Sequence, residues 1–143
     1  MKAELLLERL NEARKNKDDF RYACSKITKT LPASDEGLPL VGVILDFMEE
    51  NEELDYGMPG ALTHFSEKFY RHGYEKLLLE SVSRHPTAQT LFMLNRLING
   101  TTDPQTRDVL IGLVKSATNH PLANSMAREL AEDYVAHHEK GTQ

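Results

Sequence analysis

The sequence predicts an all-α fold. Apolar residues recur every three or four positions along nearly the whole chain, and proline and glycine punctuate that pattern at intervals. No segment shows the clean two-residue alternation of a half-buried strand. About eight helices are expected, packed as antiparallel hairpins and compatible with a short HEAT-like stack. They would form a single domain over 1–143 with a frayed tail from about residue 139.

Leu6, Leu10 and Ala13 mark one face of a first helix, and Asp18 or Asp19 is placed to cap a second. The second carries Phe20, Ala23, Cys24, Ile27 and Leu31 and is expected to end at Pro32. Gly37-Leu38-Pro39 opens a third, because proline fits the first helical turn, and Leu38, Val41, Ile44, Leu45 and Met48 form its buried stripe. The segment 54–60 breaks the pattern with two glycines and a proline. Leu62, Phe65 and Phe69 then line a fourth helix.

Gly73 interrupts again, followed by Tyr74, Leu77, Leu78 and Val82 on a fifth helix. His85-Pro86 starts a sixth with Leu91, Leu94, Leu97 and Ile98 inward, and Asn99-Gly100 terminates it. Asp103-Pro104 starts a seventh, with Val109, Leu110, Leu113 and Val114 inward. Asn119-His120-Pro121 starts the eighth, which carries Met126, Leu130 and Tyr134. The His-Pro-x-Ala tetrapeptides at 85–88 and 120–123 echo each other at a spacing that suits stacked helical hairpins, but the lines diverge beyond them.

At 143 residues, with 40% hydrophobic and 27% charged residues, the chain can bury a core of ordinary size. No apolar run is long enough for a membrane span, and the three leucines at 5–7 sit between Glu4 and Glu8, so no secretory leader is expected. One cysteine, Cys24, lies in a helical apolar pattern and reads as a buried thiol in a reducing, cytoplasmic setting.

Charge is distributed unevenly. Thr30 to Glu67 contains no Lys or Arg but nine acids: Asp35, Glu36, Asp46, Glu49, Glu50, Glu52, Glu53, Asp55 and Glu67. A one-signed block of this kind repels nucleic acid and anionic lipid and steers basic partners; its alternative is a solvated face with no partner.

No arrangement carries catalysis or a metal. His137 and His138 are adjacent and so diverge by about 100° on a helix; cap and solvent roles are expected for them. His85 and His120 read as turn residues before prolines. No metal-binding or phosphate-cradling motif is present. His64 and Glu67 share a helical face and resemble an acid–base pair. The sequence supplies no reacting partner for them, and His64 reads more simply as a side chain bonded back to the preceding loop. A nucleic-acid recognition helix would be basic, and none is. The expected protein is thus neither an enzyme nor a cofactor or nucleic-acid binder.

The run Leu54-Asp55-Tyr56-Gly57-Met58-Pro59-Gly60-Ala61-Leu62-Thr63-His64-Phe65, continuing to Glu67, carries a resemblance. So do Tyr74 to Ser81, Pro86-Thr87, and Met93-Leu94-Asn95-Arg96-Leu97-Ile98-Asn99-Gly100. Over 38–100 the chain resembles all-α immunity proteins of bacterial contact-dependent growth inhibition and related polymorphic toxin systems. The Asp-Tyr-Gly-x-Pro-Gly loop with His64 behind it is the most specific part. The resemblance implies a small cytoplasmic protein that binds and neutralises one cognate toxin domain, many such toxins being nucleases, RNases among them.

An acidic surface is what a blocker of a basic nuclease cleft requires. The expected partner-binding residues are Asp46, Glu49, Glu50, Glu52, Glu53 and Asp55, with Tyr56 and Met58 as apolar anchors. A second, structural reading attaches to Asp55, Gly57, Pro59, Gly60, His64 and Glu67 as a loop motif. The alternative function is a helical-repeat adaptor for a protein unrelated to toxins. A monomer is favoured.

Overall fold

The structure, a computed structural model, describes residues 1–140; residues 141–143, which the expected tail includes, lie outside it. The described residues form eight α-helices and no strand. The chain divides into two compact units, Met1–Leu77 and Leu78–Gln143. Among the described residues no helix is long and apolar enough to cross a membrane.

The first unit contains α1 (Ala3–Ala13), α2 (Phe20–Thr28), α3 (Leu38–Glu50), α4 (Ala61–Glu67) and the start of α5 (Tyr74–Arg84). In α1, Leu6 and Leu10 are buried, four apart on one face, and the helix packs on α2 and α3. The turn Lys17–Asp19 leads into α2, but neither aspartate caps it. Asp19 Oδ2 instead accepts from Asn16 Nδ2 at 2.9 Å, which spends the carboxylate before the helix begins. The helix ends at Thr28, short of Leu31 and Pro32, and Thr30 Oγ1 donates to the Ile27 carbonyl at 2.6 Å in the closing turn.

Gly37 precedes α3 where a Cβ would lie 2.6 Å from both the Phe69 ring and the Pro32 carbonyl. Pro39 occupies the first turn of α3, as expected. Its buried face is wider than the predicted stripe: Leu40 and Phe47 join Val41, Ile44, Leu45 and Met48, whereas Leu38 is half-buried. Phe20, Phe47 and Tyr56 form a three-ring cluster with centroids 5.4–6.4 Å apart, two of the contacts edge-to-face. After α4 the backbone turns at Arg71 (φ 67°) and Gly73 (φ 112°). The Glu75 carboxylate accepts from the Arg71 N–H at 2.9 and 3.0 Å, which holds the unfavourable arginine conformation.

The second unit contains α6 (Ala88–Asn99), α7 (Pro104–Ala117) and α8 (Ser125–Lys140), each packed on the other two. Thr87 and Thr90 form a reciprocal capping box at the start of α6. Asp103 caps α7, its carboxylate accepting from the Thr106 N–H at 2.9 Å and hydroxyl at 2.6 Å. Arg107 Nη1 donates to the Ile98 carbonyl at 2.8 Å, satisfying an end of α6 from the next helix.

Several expectations fail here. Helix α8 begins at Ser125 rather than at 119–121. The Leu122 N–H donates to His120 Nδ1 at 3.1 Å and the ring's Nε2 lies 3.0 Å from the Ser83 carbonyl, so the histidine holds residues 120–122 in a turn. Asn124 then caps the helix by accepting from the Ala127 N–H at 2.8 Å. The two His-Pro-x-Ala segments therefore do not start equivalent helices. Val109 and Met126, each 68% exposed, point outward, while Ile111 and Ala127 take the inward positions. His138 is buried and its Nε2 lies 2.7 Å from Asn95 Oδ1 on α6, which overrides the predicted cap or solvent role. Glu139 and Lys140 are helical rather than frayed, and Glu139 pairs with Lys115 at 2.8 Å.

Candidate functional site

The acidic end of α3 and the loop after it were the sequence's leading site, and the structure builds them around a residue that sequence reasoning passed over. Asn51 terminates α3 and is buried. Its Nδ2 donates to the Phe47 carbonyl at 2.9 Å, its Oδ1 accepts from Arg14 Nη1 at 3.2 Å, and its own carbonyl accepts from Tyr56 Oη at 2.7 Å. Both ends of the buried side-chain amide and the Asn51 carbonyl are thereby engaged. An asparagine at the end of an apolar helical run is a recognisable terminator, and that was the available signal.

Tyr56 is 4% exposed, its ring wedged against Phe20 and Phe47. It is therefore not an anchor for a partner. Its hydroxyl pKa is pushed far up by burial first and by Glu53, Cys24 and Glu52 after that, so it stays a neutral donor to Asn51. Inside, the ring covers the Phe20–Phe47 surface that the segment between α3 and α4 crosses.

The glycines of the loop are required by geometry. Gly57 has φ 84°, and its N–H donates to Asp55 Oδ1 at 2.9 Å. A Cβ on Gly60 would collide with the Tyr56 carbonyl. The Met58–Pro59 peptide is cis. Asp55, Gly57, Pro59 and Gly60 thus take part in the local turn. His64 does so through its backbone alone, donating its N–H to the Gly60 carbonyl at 3.0 Å. Its exposed imidazole makes no hydrogen bond to the loop and stands 3.8 Å from Glu67 Oε1, so the predicted side-chain tether is absent.

What remains outside is a short, held edge. Asp46 and Glu50 are exposed one turn apart on α3, Glu49 and Glu52 are half-buried, and Glu53 and Asp55 are exposed. Met58 is 59% exposed at the tip. The separation of charge along the sequence is not a separation in space. Arg14 reaches Asn51, and Arg21 Nη1 approaches Asp55 Oδ2 at 3.9 Å, because α1 packs on α3 and α2 on α4.

Beside this edge lies an open depression of about 600 Å³ lined by residues of α2, the loop and α4, among them Arg21, Tyr22, Ser25, Pro59, Gly60 and His64. Cys24 on α2 is 3% exposed, and burial pushes its thiol up to about 12, so it is inert. Among the described residues no group of three or more His, Cys, Asp or Glu side chains is placed to hold a metal ion. No protein-family model, curated protein or solved structure matches the chain.

Proposed function

We propose that this chain binds and neutralises a cognate toxin domain, a basic nuclease, by covering its cleft, and that it does so as a cytoplasmic monomer without chemistry of its own. The observation that carries the reading is the held acidic edge: Glu50, Glu53, Asp55 and Met58 are displayed by a segment whose backbone is tied by Asn51, Tyr56 and Gly57. A surface fixed before binding loses little conformational entropy on association, and its carboxylates accelerate encounter with a cationic cleft. Met58 supplies apolar contact at the tip. Tyr56 contributes by positioning the edge from inside. Together with the resemblance of the 54–60 loop to toxin-immunity proteins, this favours a protein-blocking role over a general adaptor.

The test is co-expression with the C-terminal domain encoded by the neighbouring gene, followed by co-purification and a growth assay. Protection with salt-sensitive binding is expected. Absence of a complex with that domain overturns the reading.

A further inference from the structure

The acidic edge is one face of the first unit; its neighbour has a different chemistry. Arg21, Ser25 and Thr28 on α2, with Lys29 at its C-terminal cap, recur at helical spacing, and Ala61, His64 and Phe65 on α4, with Lys68 at its cap, do the same. The two stripes face each other across a trough. The depression of about 600 Å³ takes Arg21, Tyr22 and Ser25 on one side and Gly60, Ala61 and His64 on the other. A second, of about 250 Å³, takes Thr28 and Lys29 opposite Ala61, His64, Phe65 and Lys68. Ala61 and His64 line both, so the trough runs from Arg21 at one end to Lys29 and Lys68 at the other.

Its floor and its rim differ. Tyr56 and Phe65 are buried beneath, Ala61 and Gly60 are half-buried, and Gly60 presents no side chain because a Cβ there would meet the Tyr56 carbonyl. The rim side chains Arg21, Tyr22, Lys29, His64 and Lys68 are exposed. Lys68 Nζ stands 5.9 Å from the Phe65 ring centroid, which places a cation over the floor. Among the lining residues the cations Arg21, Lys29 and Lys68 face one carboxylate, Asp18. Asp55 and Glu67 stand at the flanks, 3.9 Å from Arg21 and 3.8 Å from His64; the Arg21–Asp55 approach is long and solvated on both sides, hence weak.

We infer that this trough is a docking site for an extended, acidic peptide segment of a protein partner. Charge complementarity selects acidic side chains. The dimensions select an extended chain: Arg21 and Lys29 are separated by roughly 12 Å of helix at about 1.5 Å per residue, which about four residues of extended peptide span at about 3.3 Å each. Carboxylates about four positions apart reach both ends, and an apolar or small residue between them sits over Ala61 and Phe65. A polyphosphate chain fits less well, because it carries charge on every unit and has no small apolar group to lie over Ala61 and Phe65, whereas a peptide spaces its carboxylates. The inference does not rest on the toxin reading, since an adaptor would use the trough equally.

The experiment is selection of a random eight-residue peptide library on the full chain, with the selected peptide measured by fluorescence anisotropy. Enrichment of peptides with acids three to four positions apart is expected, and their affinity falls at least tenfold on Arg21→Glu with Lys68→Glu. A peptide with lysines at the acidic positions recovers binding to that double variant. Lys29→Glu, which leaves the Asp55 contact intact, weakens binding in the same direction, and Ala61→Phe weakens it by filling the floor; circular dichroism checks that each variant folds. Failure to enrich acidic peptides, enrichment of basic ones, indifference of the selected peptide to these reversals, or tighter binding of a single-stranded RNA oligonucleotide at the same residues overturns the inference.

Discussion

The Tyr56 hydroxyl donates a 2.7 Å hydrogen bond to the carbonyl of Asn51, the residue that ends α3. This bond closes the segment that carries the acidic edge and explains why an aromatic residue in a polar loop is not available to a partner. Removing only the hydroxyl, in Tyr56→Phe, leaves the ring packing intact and a buried carbonyl with one strong donor fewer. The expected loss is about 1–2 kcal/mol in urea unfolding, with partner binding weakened modestly through the loop. A Tyr56→Phe variant that loses all binding while keeping its stability would return Tyr56 to the role of a direct contact.

Two glycines are predicted to respond in opposite directions. Gly60→Ala drives a Cβ into the Tyr56 carbonyl and destabilises the unit, because the obstacle is backbone and cannot rotate away. Gly42, within α3, has open space where its Cβ would lie, so Gly42→Ala stabilises by about 0.5–1 kcal/mol through reduced backbone entropy in the unfolded chain. Thermal melts of the two variants check both signs.

Glu50 and Glu53 are exposed, so reversing both to lysine leaves the fold intact. Against the cognate toxin domain the double reversal is expected to slow association and to reduce affinity about tenfold, or about 1.4 kcal/mol. Raising ionic strength shrinks the wild-type advantage, since the Debye length is only about 8 Å at physiological salt. Stopped-flow association at two salt concentrations measures it. Unchanged rates would mean that the acidic edge is a solvated face and that the toxin is held elsewhere.

Stability should fall on mild acidification. Burial lowers the pKa of His138, with Arg107 and His137 adding to the shift, so the neutral ring that meets Asn95 is the folded form. The unfolded chain binds this proton first, at about pH 6.5. The contribution is therefore fully present above that pH and is lost as pH falls toward the lower folded value. At more acidic pH the Asp103 cap follows the same sign: the Thr106 hydroxyl and N–H hold its pKa down, so its stabilisation is present above the usual aspartate range and disappears below it. In His138→Gln, which retains a donor for Asn95, the first of these two losses should vanish from the pH–stability curve.

Cys24 should be unreactive toward a thiol reagent in the native protein. It is buried and its thiol is pushed up to about 12, so almost no thiolate exists at neutral pH. Reaction should appear only with denaturant and track global unfolding of the unit. Rapid labelling of the native protein would instead reveal local opening of α2.

The sequence by itself determined the helices. Spacing of apolar residues, glycine and proline breaks and the Asp103 start all depend on neighbours within one or two turns, and such local rules place most elements. It also marked the 54–60 loop, because proline fixes the backbone and glycine admits conformations other residues avoid, wherever they stand. Tertiary structure decided which residues face outward where the apolar pattern offers more than one face. Val109 and Met126 satisfy the helical spacing but lie on the wrong side of it, and Tyr56 is inside only because Phe20 and Phe47, distant in sequence, leave a ring-sized gap. It also decided the electrostatics. A base-free stretch of sequence acquired Arg14 and Arg21 as neighbours once α1 and α2 packed onto α3 and α4, since charge acts across space and not along the chain.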